Sequence, residues 1–415
     1  MKIFFTVVIP TRERADTLRS CLESVLSQDY PNFRVLVSDN ASNDNTREIV
    51  MGFKSEKIEY INTQKRVSMS ENFEFALKQI DSGWVTLLGD DDALVPGALS
   101  RVATIINETN TRAIRSNGAT FVWPSLIDSS FGRLSFSLKR GYTKVKSKKI
   151  LLEVLRGNTS YTKLPVLYNG GFIESSLLVE AKKLSMGQLI HSVIPDVYSG
   201  ILFSLIIDSY IYCHEPLAIN GASRHSNGAA WASNKEDFSR NNPSFLFFQE
   251  MELPIHKDIP AAQSWRKIVS MHAIILESFL QARNFVSPTF VEPSFQDHLN
   301  VIMREVRYPS DEIHEWAKLF ASKHLLSLST AIKSASKHRN SLSVKVMKIV
   351  NQLSNGFSFS VVYGSSMTPL KNVYEASIIV GYSLSIGYPN YYNPSNLIRR
   401  LFQKIKFKQV SLEKS

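Results

Sequence analysis

Through the first hundred positions, apolar residues fall in short runs separated by polar, turn-forming stretches. Ile3-Phe4-Phe5-Thr6-Val7-Val8-Ile9-Pro10 is apolar, partly β-branched and ended by proline, the pattern of a buried strand. Leu18, Cys21, Leu22, Val25 and Leu26 then recur at helical spacing. Phe33-Arg34-Val35-Leu36-Val37 predicts a second strand, Ile58-Glu59-Tyr60-Ile61 a third and Trp84-Val85-Thr86-Leu87-Leu88 a fourth. Between them, helices are expected from near Asp44 to Thr46 and from Asn72 to Ile80. The alternation β-α-β-α-β-α-β with short links predicts a parallel sheet with helices on both faces. Such sheets take their ligands at the carboxyl ends of the strands.

Polar residues sit at those ends. Pro10-Thr11 follow the first strand, Asp39-Asn40 the second and Asp90-Asp91-Asp92 the fourth, so residues far apart in sequence are expected to meet in one crevice. The three adjacent acids repel one another and call for a counter-charge. Carboxylate oxygens suit hard cations such as Mg²⁺ and Mn²⁺, which commonly bridge protein carboxylates to substrate phosphates. The competing reading is an acidic turn that caps the helix beginning near Pro96.

In order and spacing, Val8-Ile9-Pro10-Thr11-Arg12-Glu13-Arg14, Ser38-Asp39-Asn40-Ala41-Ser42-Asn43-Asp44-Asn45-Thr46, Gly89-Asp90-Asp91-Asp92 and Pro96-Gly97-Ala98-Leu99 resemble the motifs of family 2 glycosyltransferases of the GT-A fold. The clear resemblance covers roughly residues 1–110 and extends more weakly to about 230. It implies an α/β fold with a Rossmann-like mixed sheet, a nucleotide-sugar donor, a divalent metal and an inverting displacement. By that resemblance Pro10, Thr11 and Arg14 belong to the loop bordering the nucleotide, Asp39 contacts the base, commonly uracil, and Asp90 lies near the ribose. Arg66 and Asn72 fall where relatives place donor-contacting residues. Asp91 matches the metal ligand, with Asp92 a second candidate. Gly89 stands where many relatives carry the first acid of the motif, which leaves Asp90, Asp92 or water to complete the metal shell.

An inverting transfer needs a general base opposite the diphosphate. Ile194-Pro195-Asp196-Val197 resembles the place where relatives carry a Glu-Asp pair opening a helix, with Pro195 in place of the first acid; Asp196 matches the catalytic aspartate. Gly170-Gly171-Phe172-Ile173 lies upstream, where acceptor-site residues are expected. An Asp beside Pro also suits a helix N-cap, and Asp208 is the rival base. His225, in Ser223-Arg224-His225-Ser226, falls where relatives often place a residue that reaches the metal or pyrophosphate. Imidazole can ligate Mn²⁺, and Arg224 suits phosphate.

Length adds a second region. The chain has 415 residues, beyond one ordinary domain, and its 44% hydrophobic and 20% charged content is that of a globular protein. The spacing predicts a mostly helical C-terminal domain over 231–415 after a GT-A domain over 1–230, with helices over Trp265 to Phe285, Phe295 to Val306 and Asp311 to Leu328. Cys21 and Cys213 lie far apart and suggest neither a disulfide framework nor a zinc site, which fits a reducing, cytoplasmic compartment. The opening apolar run is too short for a signal peptide and reads as a strand. The longest apolar stretch, Gly200 to Ile207, is well short of a membrane span.

The formal net charge is +11. Basic residues concentrate from Lys139 to Lys149, expected as a loop or hairpin beside the acceptor side, and in the tail from Arg399 to Lys408. Leu397, Ile398, Leu401, Phe402 and Ile405 share one helical face of that tail, the pattern of a helix lying on an anionic membrane surface. The other reading is an ordinary packed last helix. Nucleic-acid binding is disfavoured, because no aromatic-basic reader motif is present. The expectation is a peripheral glycosyltransferase acting on a glycan or lipid-linked acceptor. A non-catalytic nucleotide-sugar-binding relative and a nucleotidyltransferase are the alternatives; the second lacks its glycine-rich phosphate loop after the first strand.

Overall fold

The computed structural model describes residues 3–124, 132–226, 250, 254–260, 270–306, 312–340, 360–361 and 370–386. Its centre is the expected parallel unit: β1 (Phe5–Thr11), β2 (Phe33–Asp39), β3 (Ile58–Asn62) and β4 (Trp84–Leu87), in the order β3-β2-β1-β4. The first run is apolar throughout because both faces of the strand are covered. Val7 and Ile9 join Leu18, Cys21, Leu22 and Val25 of α1 (Ala15–Leu26) in one core cluster. Val8 joins Phe73, Ala76 and Leu77 of α3 (Met69–Leu77) in another. Between β2 and β3 lies α2 (Thr46–Gly52).

Past β4 the sheet becomes mixed. β9 (Gly171–Glu174) runs antiparallel to both β4 and β6 (Ala113–Val122). The long β10 (Ser209–Ala222) lies parallel to β6 and antiparallel to β5 (Ala93–Leu94) and β8 (Tyr142–Lys146). β7 (Arg133–Ser135) and β11 (Ser360–Val361) close that edge. The basic stretch expected as a loop or hairpin is thus β8 and the start of α5 (Ser147–Leu155), entered by a turn at Gly141 with φ of 86°. α4 (Ala98–Thr109) begins at Gly97, in the left-handed region, and has no side-chain cap. The acidic triplet therefore does not cap it.

One apolar cluster joins the sheet to the helices that follow. It contains Val8 and Leu36, then Tyr198 and Ile201 of α7 (Pro195–Ile206). From there it runs through Phe279 of α8 (Met271–Arg283), Ile302 of α9 (Phe295–Glu305), Trp316 and Phe320 of α10 (Glu312–Lys323) and Ala331 of α11 (Leu328–Asn340). The Trp316 and Phe320 rings stack with centroids 5.1 Å apart. α6 (Ser175–Leu184) belongs to the same layer, through Leu177, Leu178 and Ala181. α12 (Val373–Ile386) packs Val373, Ala376 and Val380 on Ala93, Val95 and Ile219 in a separate cluster.

Two details differ from expectation. α3 starts at Met69 because Ser68 and Glu71 form a reciprocal capping box. The helix expected over 311–328 is α10, which stops at Lys323, and a further helix, α11, begins at Leu328. The chain breaks at Leu325, φ 54°, and the Ser327 hydroxyl accepts from the Thr330 N–H at 3.2 Å. Trp265, the expected domain boundary near 230 and the basic tail from 397 to 408 lie outside the described residues. Among the described residues no helix is long and apolar enough to cross a membrane.

Candidate functional site

Register brings the parallel strand ends level: Thr11 stands opposite Asp39, and Asp39 opposite Asn62. The loops beyond them are laced together. The Asn40 N–H donates to the Thr11 carbonyl at 2.9 Å, the Glu13 N–H to Ser42 Oγ at 2.9 Å and the Ala15 N–H to Asp44 Oδ2 at 3.1 Å. Asn40 also grips Val67, donating to its carbonyl at 2.7 Å and accepting from its N–H at 2.9 Å. Asp39 is buried, with hydrogen bonds from the Tyr60 hydroxyl at 2.5 Å, Asn62 Nδ2 at 3.0 Å and the Ser42 N–H at 3.1 Å. Both Asp39 oxygens are thus engaged by donors from the β2–α2 and β3 segments.

The arginines line the same edge. Arg14 donates to Asp90 Oδ1 at 2.9 Å and to the His225 carbonyl at 2.6 Å. Burial would depress its guanidinium, but Asp90 and Asp91 hold its pKa above the ordinary value. Arg12 and Arg66 come from different loops and both pair with Glu250, at 2.5 Å and 2.7 Å. Two arginines converging on one carboxylate form a pair of forks that suits phosphate equally well. Asn72 is turned to another use: its amide donates to the Ser38 carbonyl at 3.2 Å and its Oδ1 accepts from Ser38 Oγ at 2.7 Å, tying α3 to β2.

The acidic triplet is buried, at 1%, 4% and 1% exposure for Asp90, Asp91 and Asp92. Burial raises the Asp90 carboxyl above the usual range, while Arg14 opposes the rise. Asp91 Oδ2 accepts from Ser223 Oγ at 2.6 Å and from Ser226 Oγ. Asp92 points the other way. Its Oδ1 takes the Gly221 N–H at 2.7 Å and its Oδ2 the Gly89 N–H at 3.0 Å, so it staples β10 beneath the motif. A Cβ at Gly89 would lie 2.5 Å from the Tyr168 hydroxyl and 2.7 Å from Asp92 Oδ2, which is why glycine stands there.

The three metal candidates thus separate. Arg224 donates at 3.0 Å both to His225 Nε2 and to Asp16 Oδ2, and so holds the His225 ring beside the acid in the first turn of α1. Among the described residues no three His, Cys, Asp or Glu side chains converge as a ligand set. Mg²⁺ and Mn²⁺ often take one or two carboxylates with substrate phosphates supplying the rest, and Asp91, held by the Ser223 and Ser226 hydroxyls rather than by an ion pair, fits that mode.

Asp196 lies in the first turn of α7, whose N-cap is Ile194 and whose first residue is Pro195. It is therefore past the cap. The Tyr161 hydroxyl donates to Asp196 Oδ2 at 3.1 Å. Burial raises the Asp196 carboxyl above the usual range; the Tyr161 bond, the Val197 N–H and the nearby Arg115 guanidinium pull it part of the way back. Asp208 lies beyond the far end of α7 with its side chain 95% exposed and 3.3 Å from Lys148, a poor place for a positioned base. Tyr168 connects the two ends of the site. The residue is half-buried, and desolvation together with the charges of Asp92, Asp91, Asp196 and Asp90 raises its phenol pKa well above the usual value. Tyr161, Tyr168 and Arg115 escaped sequence reasoning; Gly170-Gly171, which ends their loop, was the available signal.

The fold and the site together define a Rossmann-like α/β domain with an acidic turn at its ligand-binding edge. The family model for Glycosyl transferase family 2 matches residues 6–153, the region that holds the parallel strands and the acidic turn. Over 106 residues the chain is 32% identical to the GalNAc(5)-diNAcBac-PP-undecaprenol beta-1,3-glucosyltransferase of Campylobacter jejuni, covering 25% of this chain and 34% of that protein. Over 112 residues it is 25% identical to the UDP-Glc:alpha-D-GlcNAc-diphosphoundecaprenol beta-1,3-glucosyltransferase WfgD of Escherichia coli, covering 27% of this chain and 44% of that protein. The match thus spans less than half the length of these relatives. Among solved structures, S. aureus TarS 1-349 in complex with UDP-GlcNAc is similar in outline, with 15% identity and a TM-score of 0.44 over 81% of this chain and 92% of that one.

Proposed function

We propose that this protein is an inverting glycosyltransferase that moves a sugar from a nucleotide-diphosphate donor, a UDP-sugar, to a lipid-linked diphosphate acceptor in surface polysaccharide synthesis. The observation that supports the reading is one loop tied to both acids: the Asn169 N–H donates to the Leu87 carbonyl just before the acidic motif, and the Leu167 N–H donates to Ser199 Oγ, which in turn donates to the Asp196 carbonyl. The relatives' names, with UDP-glucose and diphosphoundecaprenol, support the donor and acceptor classes.

In this reading Asp39 receives the base, while Pro10, Thr11 and Arg14 border the nucleotide. Arg12 and Arg66 exchange Glu250 for the donor's phosphates. A divalent ion, Mn²⁺ or Mg²⁺, held at Asp91 would offset the charge of the diphosphate leaving group. Asp196 takes the proton of the acceptor hydroxyl as that oxygen attacks the anomeric carbon, and UDP departs from the opposite side. The raised Asp196 pKa makes it a better proton acceptor than a surface aspartate, and places the acid limb of activity at higher pH. The exposed Lys144 and Lys146 of β8, with the basic stretch 397–408, suit an anionic membrane face, so the protein works from the cytoplasmic side as a peripheral enzyme. Residues 1–230 form the catalytic unit and 231–415 its helical partner.

The test supplies UDP-sugars and a lipid-diphosphate acceptor with Mn²⁺ and follows products by NMR. Release of UDP with a product of inverted anomeric configuration is expected. Nucleotide binding without transfer would favour the non-catalytic alternative, and pyrophosphate release a nucleotidyltransferase.

A further inference from the structure

The segment from Ser160 to Gly171 touches both ends of the site, and a buried cation holds it there. Arg115, on β6, is 8% exposed and spends its guanidinium on backbone carbonyls: Thr162 at 2.8 Å through Nε, Tyr168 and Asn169 at 2.8 Å each through Nη1. A guanidinium is a rigid fork of five donors, so three carbonyls on it fix a loop in one conformation. Gly170 has φ of 84°, and a Cβ on Gly171 would strike the Val166 carbonyl, so the loop closes only with this glycine pair. The Tyr210 hydroxyl donates to the Lys163 carbonyl at 2.6 Å.

The loop is also tied to the elements it serves. The Asn169 N–H donates to the Leu87 carbonyl at 2.8 Å, at the end of β4 just before the acidic motif. The Leu167 N–H donates to Ser199 Oγ at 3.2 Å, and that hydroxyl donates to the Asp196 carbonyl at 3.0 Å. At the loop's start the Ser160 hydroxyl accepts from the Thr162 N–H at 3.2 Å, setting the turn that aims Tyr161 at Asp196.

We propose that Tyr161 is a positioning residue of this site: its hydroxyl holds the Asp196 carboxylate where it can take the acceptor proton, and Arg115 fixes the turn that carries Tyr161. The inference rests on the reading of Asp196 as the base. The phenol is suited to the task, since the Asp196 charge and burial keep it protonated and donating far into the alkaline range. The bond is made to the ionised carboxylate, so it favours that form. Without it, Asp196 would hold its proton to higher pH.

The experiment compares wild type, Tyr161→Phe and Asp196→Asn, with kcat measured from pH 5 to 9 and UDP affinity measured by titration. Tyr161→Phe removes one oxygen. Its kcat is expected to fall roughly tenfold, its acid limb to move roughly half to one pH unit upward and its UDP affinity to stay at the wild-type value. A fall in kcat with the limb unmoved, or a loss of UDP affinity alongside activity, makes Tyr161 a structural residue and overturns the proposal. If Asp196→Asn still turns over at the wild-type rate, the base reading fails and this proposal fails with it. An unmoved limb in Tyr161→Phe while Asp196→Asn is inactive refutes the positioning role alone.

Discussion

At the strand ends, the proposed donor side, side chains are fixed by short loops that lace one strand end to the next; around Asp196, the proposed base, one buried guanidinium, a glycine pair and a helix start fix a single long loop. The donor side draws on Thr11 to Arg14, Asp39 to Asp44 and Asp90 to Asp92, each a compact run after a strand. The base side draws on Arg115, Tyr161, Tyr168 and Asp196, single residues spread over some eighty positions. Both sides bury carboxylates. Asp90 has an arginine in contact, 2.9 Å away, while Asp196 has a phenol at 3.1 Å and a cation felt only at longer range. A contacting counter-charge opposes the rise that burial imposes on the Asp90 carboxyl. A neutral donor orients the Asp196 carboxylate and only partly offsets the rise in proton affinity that burial gives it.

The most severe way to break the donor side is Asp91→Asn. Offsetting the charge of the leaving diphosphate is worth several kcal/mol, so transfer is expected to fall by roughly a hundredfold or more. The wild type should lose UDP affinity on chelation with EDTA, and the variant should show only the chelation-insensitive remainder. Wild-type affinity indifferent to EDTA would remove the metal from the account.

The contrast also explains what the sequence revealed. β1 to β4, the helices between them and the convergence of Thr11, Asp39 and the acidic triplet were all legible, because apolar period and strand-end position are local signals. Motif spacing made Asp91 and Asp196 candidates for the same reason. The uses of Asp92, Asn72 and His225 were not legible. Asp92 spends its oxygens on the Gly221 and Gly89 N–H groups, the Asn72 amide is spent on Ser38, and the His225 ring faces Asp16. Each of these partners lies on an element whose approach only the folded sheet defines. Tyr161 and Tyr168 were silent because an aromatic on a loop carries no period. The split of α10 from α11 rests on a left-handed Leu325, a residue type that gives no warning of it.

A gentler substitution probes the junction of the two sides. Gly89→Ala would press its methyl on the Tyr168 hydroxyl and the pinned Asp92, as overpacking does elsewhere at about 1–3 kcal/mol. Thermal unfolding should show that loss, with donor affinity and turnover both reduced because Tyr168 and Asp92 serve the two sides at once. A variant as stable as wild type would show that Tyr168 moves freely and does not join them.

The central claim is a division of labour, with nucleotide binding on the strand-end loops and proton removal at Asp196. It is tested most directly by measuring UDP affinity and turnover together in Asp196→Asn. The account predicts wild-type UDP affinity with turnover lowered by roughly 10²–10⁴-fold, the usual contribution of a positioned base. Affinity that collapses along with turnover, or turnover that survives, would contradict it.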